Sequence, residues 1–155
     1  NDGNKLILNM KENLNLGKHK DMKVYIYFRK LKSMDLRTVG DVSCVQQLSF
    51  DDLKLSNKSV GDVNLKFTVR NLEMENKSVG DVTLNGKAES ATIKNSSVGD
   101  FQAASFVVQK MDINNNGIGD MEIYAEKELK TKENSLGPVT NKGAAPKKKM
   151  NKVVI

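Results

Sequence analysis

Apolar and polar residues alternate along most of this chain, but the alternation loses step at regular intervals. Leu53 and Leu55 alternate with polar neighbours, as do Val63 and Leu65, and Phe67 and Val69. This is the period-two pattern of a half-buried strand. Between these pairs the parity breaks, with steps of five residues from Leu55 to Val60, three from Val60 to Val63 and three from Val69 to Leu72. Each odd step requires a corner that turns the strand while keeping its apolar side chains inward. Corners near Asn57, Gly61 and Arg70 therefore predict a coil with roughly three sides.

The whole pattern then repeats. Gly-Asp recurs at Gly40-Asp41, Gly61-Asp62, Gly80-Asp81, Gly99-Asp100 and Gly119-Asp120, with a degraded copy at Gly137-Pro138. The rungs read LKLSNKSVGDVNL from Leu53, LEMENKSVGDVTL from Leu72, ATIKNSSVGDFQA from Ala91 and MDINNNGIGDMEI from Met111, with a weaker LKTKENSLGPVTN from Leu129. An upstream rung is expected to start near Met34, with a corner two residues shorter. A period near nineteen is too short for helical-pair repeats, and the leucine-rich repeat pattern is missing. The fold this predicts is all-β, a right-handed single-stranded parallel β-helix forming one domain over residues 1–155. Residues 1–30 form an N-terminal strand cap that includes Leu6, Leu8 and a strand Lys23–Phe28. Residues 34–147 form the rungs, and 148–155 a terminal strand.

Stacked rungs place equivalent residues in columns about 4.8 Å apart, so that six rungs make a rod of about 29 Å. Four core columns are expected: Leu53/Leu72/Ala91/Met111/Leu129, Leu55/Met74/Ile93/Ile113, Val60/Val79/Val98/Ile118/Leu136 and Val63/Val82/Phe101/Met121/Val139. On this assignment a Val79→Asp change would bury an unpaired charge and destabilise severely.

Two further columns are polar. Asn57, Asn76, Asn95 and Asn115 are expected to turn a corner and to hydrogen-bond to one another up the stack. Asp41, Asp62, Asp81, Asp100 and Asp120 follow glycines, and Gly61, Gly80, Gly99 and Gly119 are expected to share a backbone with positive φ. Each Asp carboxylate is expected to accept a backbone N–H of its own corner. Like charges at rung spacing repel, so calcium is the alternative counterweight for this oxygen-rich row. Catalysis by paired carboxyls needs two unlike environments, and a regular column makes them alike. The column is assigned as structural, with no catalytic residue, metal or cofactor.

Composition narrows the classes further. Residues 1–32 carry 8 Lys/Arg and 3 Asp/Glu, residues 139–155 carry 5 Lys and no acid, and the stretch between is net acidic, so the overall +6 sits at the two ends. No basic stripe with stacking aromatics is present, which argues against nucleic acid as a partner. The run Lys147-Lys148-Lys149 fits a solvated strand end. No apolar run is long enough to span a membrane, and no signal peptide is visible; a start at Asn1 is expected of a mature or trimmed form. Cys44, the lone cysteine, is expected in the core. His19 is the lone histidine, so a His-based triad or a His-rich metal site is not expected.

The repeats resemble a known family, the auto-transporter adhesin, head GIN domain. The resemblance runs from about Leu6 to Ile155. It rests on the nineteen-residue corners, on KVYIYFRKLKSMDLRTVGDV leading into the first of them, and on VTLNGKAES after Gly80. The ending Leu136-Gly137-Pro138-Val139-Thr140-Asn141-Lys142-Gly143-Ala144-Ala145-Pro146-Lys147 is also similar to the family's final GxVxYxGxP rung. This chain departs in having Ser-Val-Gly or Thr-Val-Gly where many members have Gly-Ser-Gly; members also usually start with further strands, which either lie outside this sequence or are replaced here by a different cap. The resemblance implies a β-helix and an exported, envelope-associated protein in the periplasm, at the outer-membrane surface or outside the cell; it brings no catalytic residues. The expected function is a non-catalytic scaffold or adhesion module for a polysaccharide or a surface protein. The alternatives are a polysaccharide lyase or hydrolase, which needs a groove with an irregular acid or base, and a purely structural stalk. A sugar-binding face would turn Tyr25, Tyr27 and Tyr124 outward together.

Overall fold

A computed structural model describes residues 25–150 except positions 29 and 45. Among these there is no helix. The strands are β1 (Ser33–Leu36), β2 (Val42–Ser43), β3 (Leu48–Asn57), β4 (Val63–Asn76), β5 (Val82–Asn95), β6 (Phe101–Asn115), β7 (Met121–Glu133), β8 (Val139–Asn141) and β9 (Lys147–Lys149). Every pairing is parallel, in the order β1-β3-β4-β5-β6-β7-β8, with β2 on β4 and β9 on β7. The result is a parallel β-solenoid of about six turns with rungs of about nineteen residues, as the repeat predicts.

Register follows the repeat through the middle of the molecule: Leu53, Leu72, Ala91, Met111 and Leu129 stack, and so do Val63, Val82, Phe101, Met121 and Val139. Both columns are buried, as is Leu55/Met74/Ile93/Ile113. Within β4 the inward parity changes at two adjacent exposed residues, Arg70 and Asn71, with Val69 and Leu72 buried on either side. One extra outward residue bends the strand there: Arg70 drops out of the pairing on both sides, and the register resumes unchanged at Asn71.

The first rung differs from its expected alignment. Met34 pairs with Leu55, not Leu53, and Val42 pairs with Val63, an offset of twenty-one, whereas Leu48 pairs with Phe67, an offset of nineteen. The corner thus keeps its full length, and the two extra residues lie between Cys44 and Leu48. Cys44 is half-buried against the edge of the core. The expected strand Lys23–Phe28 is not formed over Tyr25–Phe28, which are exposed and unpaired in strand terms; the rest of the expected cap, with Leu6, Leu8 and His19, lies outside the described residues. Phe28 instead stacks its ring on Phe50 at a centroid distance of 6.2 Å.

The larger correction concerns the Val60 column. Val60, Val79, Val98 and Ile118 are each about half exposed, and the end members Val39 and Leu136 are 87% and 79% exposed. The inward alternation of Leu53 and Leu55 does not break after Leu55; it continues through Asn57 and Ser59, both fully buried. The turn lies between Ser59 and Val63, and it throws Val60, Gly61 and Asp62 outward. Polar residues occupy the inside of this corner because they satisfy one another there. Asn57 Nδ2 donates to Asn76 Oδ1 at 2.9 Å, Asn76 to Asn95 at 2.8 Å and Asn95 to Asn115 at 2.9 Å. Ser59, Ser78 and Ser97 donate their hydroxyls to the Asn two residues earlier. A buried amide so satisfied avoids the desolvation penalty that otherwise keeps Asn at the surface.

One core feature carries no repeat signal. Gly86 has φ +120°, and a Cβ there would overlap the Phe67 carbonyl oxygen. The missing side chain lets Phe67 and Phe106, on the rungs either side, meet edge-to-face at 5.1 Å. Such pairs contribute about 0.5–1.5 kcal/mol beyond area burial.

Candidate functional site

The corner at Gly61 brings together three outward columns. The middle one is the apolar stripe Val39, Val60, Val79, Val98, Ile118 and Leu136, whose backbones bridge one to the next along all six rungs. Five rung steps make it about 24 Å long. Two residues before it on each rung stand Arg37, Lys58, Lys77, Ser96, Asn116 and Asn134; two residues after it stand Asp41, Asp62, Asp81, Asp100, Asp120 and Pro138. The stripe therefore runs between an acidic row on one side and, over its first three rungs, a basic row on the other. Two of these cations have exposed partners on their own rung, Arg37 with Asp35 and Lys77 with Glu75. Those ion pairs hold the Asp35 and Glu75 carboxyls below the usual carboxylate range, through the hydrogen bonds from Arg37 and Lys77 first.

The glycines behind the stripe have one conformation: φ is +126° at Gly61, +123° at Gly80, +125° at Gly99 and +121° at Gly119. The aspartates bond differently from expectation. Each carboxylate accepts an N–H from the next rung rather than from its own corner: Asp62 N–H donates to Asp41 at 2.9 Å, Asp81 to Asp62 at 2.9 Å, Asp100 to Asp81 at 2.8 Å and Asp120 to Asp100 at 2.9 Å. The geometry arises because the positive-φ glycine turns the following N–H along the solenoid axis, toward the rung before. The series ends at Pro138, which has no N–H for Asp120 to accept. Among the described residues no three of His, Cys, Asp and Glu converge in a way that could hold a metal ion.

A second outward surface lies over the Arg70–Asn71 bend. There Asn71 donates to Asp52 at 2.7 Å, Ser90 donates to Asn71 at 2.7 Å, and Arg70 pairs with Asp51 at 3.1 Å. Asp52, Asn71 and Ser90, with Lys54 and Glu73, line a shallow, open groove. Asp52, Asn71 and Ser90 are bonded to one another and Lys54 to Glu73, and no aromatic ring lines it. The tyrosines are not brought together: Tyr25 and Tyr27 lie beside Phe28, which stacks on Phe50, whereas Tyr124 is half-buried in β7, four rungs further on.

Sequence reasoning misses the exposed stripe, because apolar character alone predicts an inward position. The parity count held the signal: Leu53, Leu55, Asn57 and Ser59 are all two apart, so Val60 falls on the opposite face.

Comparisons with known proteins agree with this architecture. A crystal structure from Bacteroides fragilis NCTC 9343, described as a putative adhesin, is similar with a TM-score of 0.60 and 25% identity. The similarity covers 77% of this chain and 61% of the other, so this chain spans about three-fifths of that protein's length. No curated protein matches the chain. The family model described as putative auto-transporter adhesin, head GIN domain, matches residues 1–145. The chain belongs to that family, and its solenoid is an adhesin-like β-helical module.

Proposed function

We propose that this chain is a non-catalytic, exported adhesion module that works at the cell envelope, and that its contact surface is the Val39–Leu136 stripe. The observation that carries this reading is the stripe itself. Six aliphatic side chains stand exposed in one unbroken row, and contiguous exposed apolar surface on a folded protein marks an interaction site. The side chains point away from the core, and the four central ones leave about half of their surface open to solvent. The non-catalytic reading draws support from the regularity of the corner. Asp62, Asp81 and Asp100 each make the same bond in the same setting, whereas acid–base chemistry needs carboxyls held in unlike environments.

The test is display of the chain on a non-adherent bacterium. Wild type should raise attachment to glass coated with protein, with polysaccharide or with the chain itself. A variant carrying Val60→Thr, Val79→Thr, Val98→Thr and Ile118→Thr, displayed at equal density, should return attachment to background. Equal attachment by the two would refute the stripe as the contact surface.

A further inference from the structure

We propose that the stripe's partner is a second copy of this chain, packed side by side and pointing the same way, with a two-fold axis parallel to the solenoid axis. This deepens the reading above and rests on the stripe being a contact surface.

Two observations carry it. The first is the repeat. The stripe offers one aliphatic side chain per rung, at the strand spacing of about 4.8 Å, over six rungs. A partner that fills such a surface along its whole length needs the same spacing, and a second copy has it. A two-fold contact also uses one patch twice, so a self-complementary row suffices.

The second is charge, and it selects the orientation. With the two-fold along the solenoid axis, each Val faces its own counterpart, and chain direction across the rung is reversed between copies. Arg37, Lys58 and Lys77 then face Asp41, Asp62 and Asp81 of the second copy on the same rungs. With the two-fold across the axis, the two acidic rows face each other instead, which opposes association. The pairs Arg37–Asp35 and Lys77–Glu75 are exposed, so they hold these cations only loosely.

A strip about 24 Å long and five residues wide is well below the roughly 800 Å² per partner of a standard interface. The free pair is therefore weak. Tethering copies to one envelope surface supplies the effective concentration that makes it persist, and a same-direction pair suits copies tethered at the same end.

Disulfide trapping tests both partner and orientation. In a Cys44→Ala background, single cysteines are placed by Val60→Cys, Val79→Cys, Val98→Cys and Ile118→Cys, each variant being checked by its melting temperature. The proposal expects every single variant to form a disulfide dimer with itself, and a mixture of the Val60→Cys and Ile118→Cys proteins to form few mixed dimers. Adding Lys58→Glu and Lys77→Glu should slow trapping at least tenfold at low salt. Preferential mixed 60–118 dimers would show the opposite orientation and overturn the proposal. So would trapping that is absent, or that is equal for all combinations and indifferent to the lysine changes. If trapping fails while the displayed stripe variant still loses attachment, the contact surface stands and its partner is another molecule. If both fail, the stripe is not a contact surface at all.

Discussion

Asn76 and Val79 stand three residues apart on one rung, each the middle of a column that runs through the stack, and their burial is the reverse of their polarity. Asn76 is 1% exposed and Val79 is 52% exposed. The difference teaches what decides burial in a stacked fold. A lone Asn inside a core leaves an amide unpaired, but one Asn per rung converts the same group into a ladder, with a donor and an acceptor meeting at every step. The repeat thus removes the penalty that would otherwise exclude a polar residue. No such ladder explains the valines, which face outward and leave about half of their surface in water.

The largest effect is expected at the corner that separates the two columns. A Cβ on Gly80 would sit 2.5 Å from the Gly61 carbonyl oxygen, and φ there is +123°. Gly80→Val should therefore destabilise by about 3 kcal/mol or more, from strain and overlap together. Denaturant unfolding measures it. A loss below about 1 kcal/mol would mean that the corner reshapes freely, and that the glycine does not hold the two columns on opposite faces.

Next comes the inner column. Asn76→Ala removes both ladder bonds of one rung and the acceptor for the Ser78 hydroxyl, leaving buried groups unpaired. The expected loss is about 2–4 kcal/mol. If Asn76→Ala and Val79→Ala cost the same, the contrast between the columns has no energetic content.

The fold was legible in the sequence because the repeat repeats everything at once. Gly-Asp spacing, alternation and column identity all pointed to stacked rungs, and Leu53, Leu55 and Val63 fell inside as expected. What failed, failed at single positions. Val60 was placed inward on polarity alone, although parity from Leu55 through Asn57 and Ser59 placed it outward. The Asp column was visible, yet the direction of its bonds was not, because that depends on which way the positive-φ glycine turns the next N–H. The first rung misled because its two extra residues, between Cys44 and Leu48, carry no motif. Gly86 could have been found only by seeing that Phe67 and Phe106 flank it two rungs apart.

A smaller effect is expected where the ladder ends. Glu133 takes the Asn position on the last full rung, beside Asn115, and pairs with Lys147 of β9 at 2.8 Å. Burial pushes the Glu133 carboxyl up, but the paired Lys147 ammonium and the nearby Lys149 charge outweigh it and hold it below its ordinary value of 4.5. A lowered folded pKa means that the stabilisation is present above the ordinary carboxylate range and is lost as pH falls through the lowered value. Acid should therefore weaken wild type more than Glu133→Gln, by about 1 kcal/mol or less for a partly exposed pair. Melting temperatures of the two proteins, compared from neutral to acid pH, would show parallel curves if the pair contributes nothing.

The smallest expected effect bears hardest on the comparison. Were Val79 part of the core, Val79→Asp would rank with the most damaging changes in the molecule, because it would bury an unpaired charge. With the side chain half exposed, solvent hydrates the new carboxylate, and only weak repulsion from Asp62 and Asp81 opposes it. Val79→Asp should therefore cost less than about 1 kcal/mol, since like charges near the surface are screened by water and salt. Val79→Thr keeps the β-branched shape that suits a paired strand position and adds no charge; it should lie within about 0.5 kcal/mol of wild type. Leu84→Asp, at a fully buried position of the next strand, is the internal control and should unfold the protein or nearly so. If Val79→Asp behaves like Leu84→Asp, the stripe is core after all. If it behaves like Val79→Thr, six aliphatic side chains stand in water without serving stability, and the reason for them lies in what they touch.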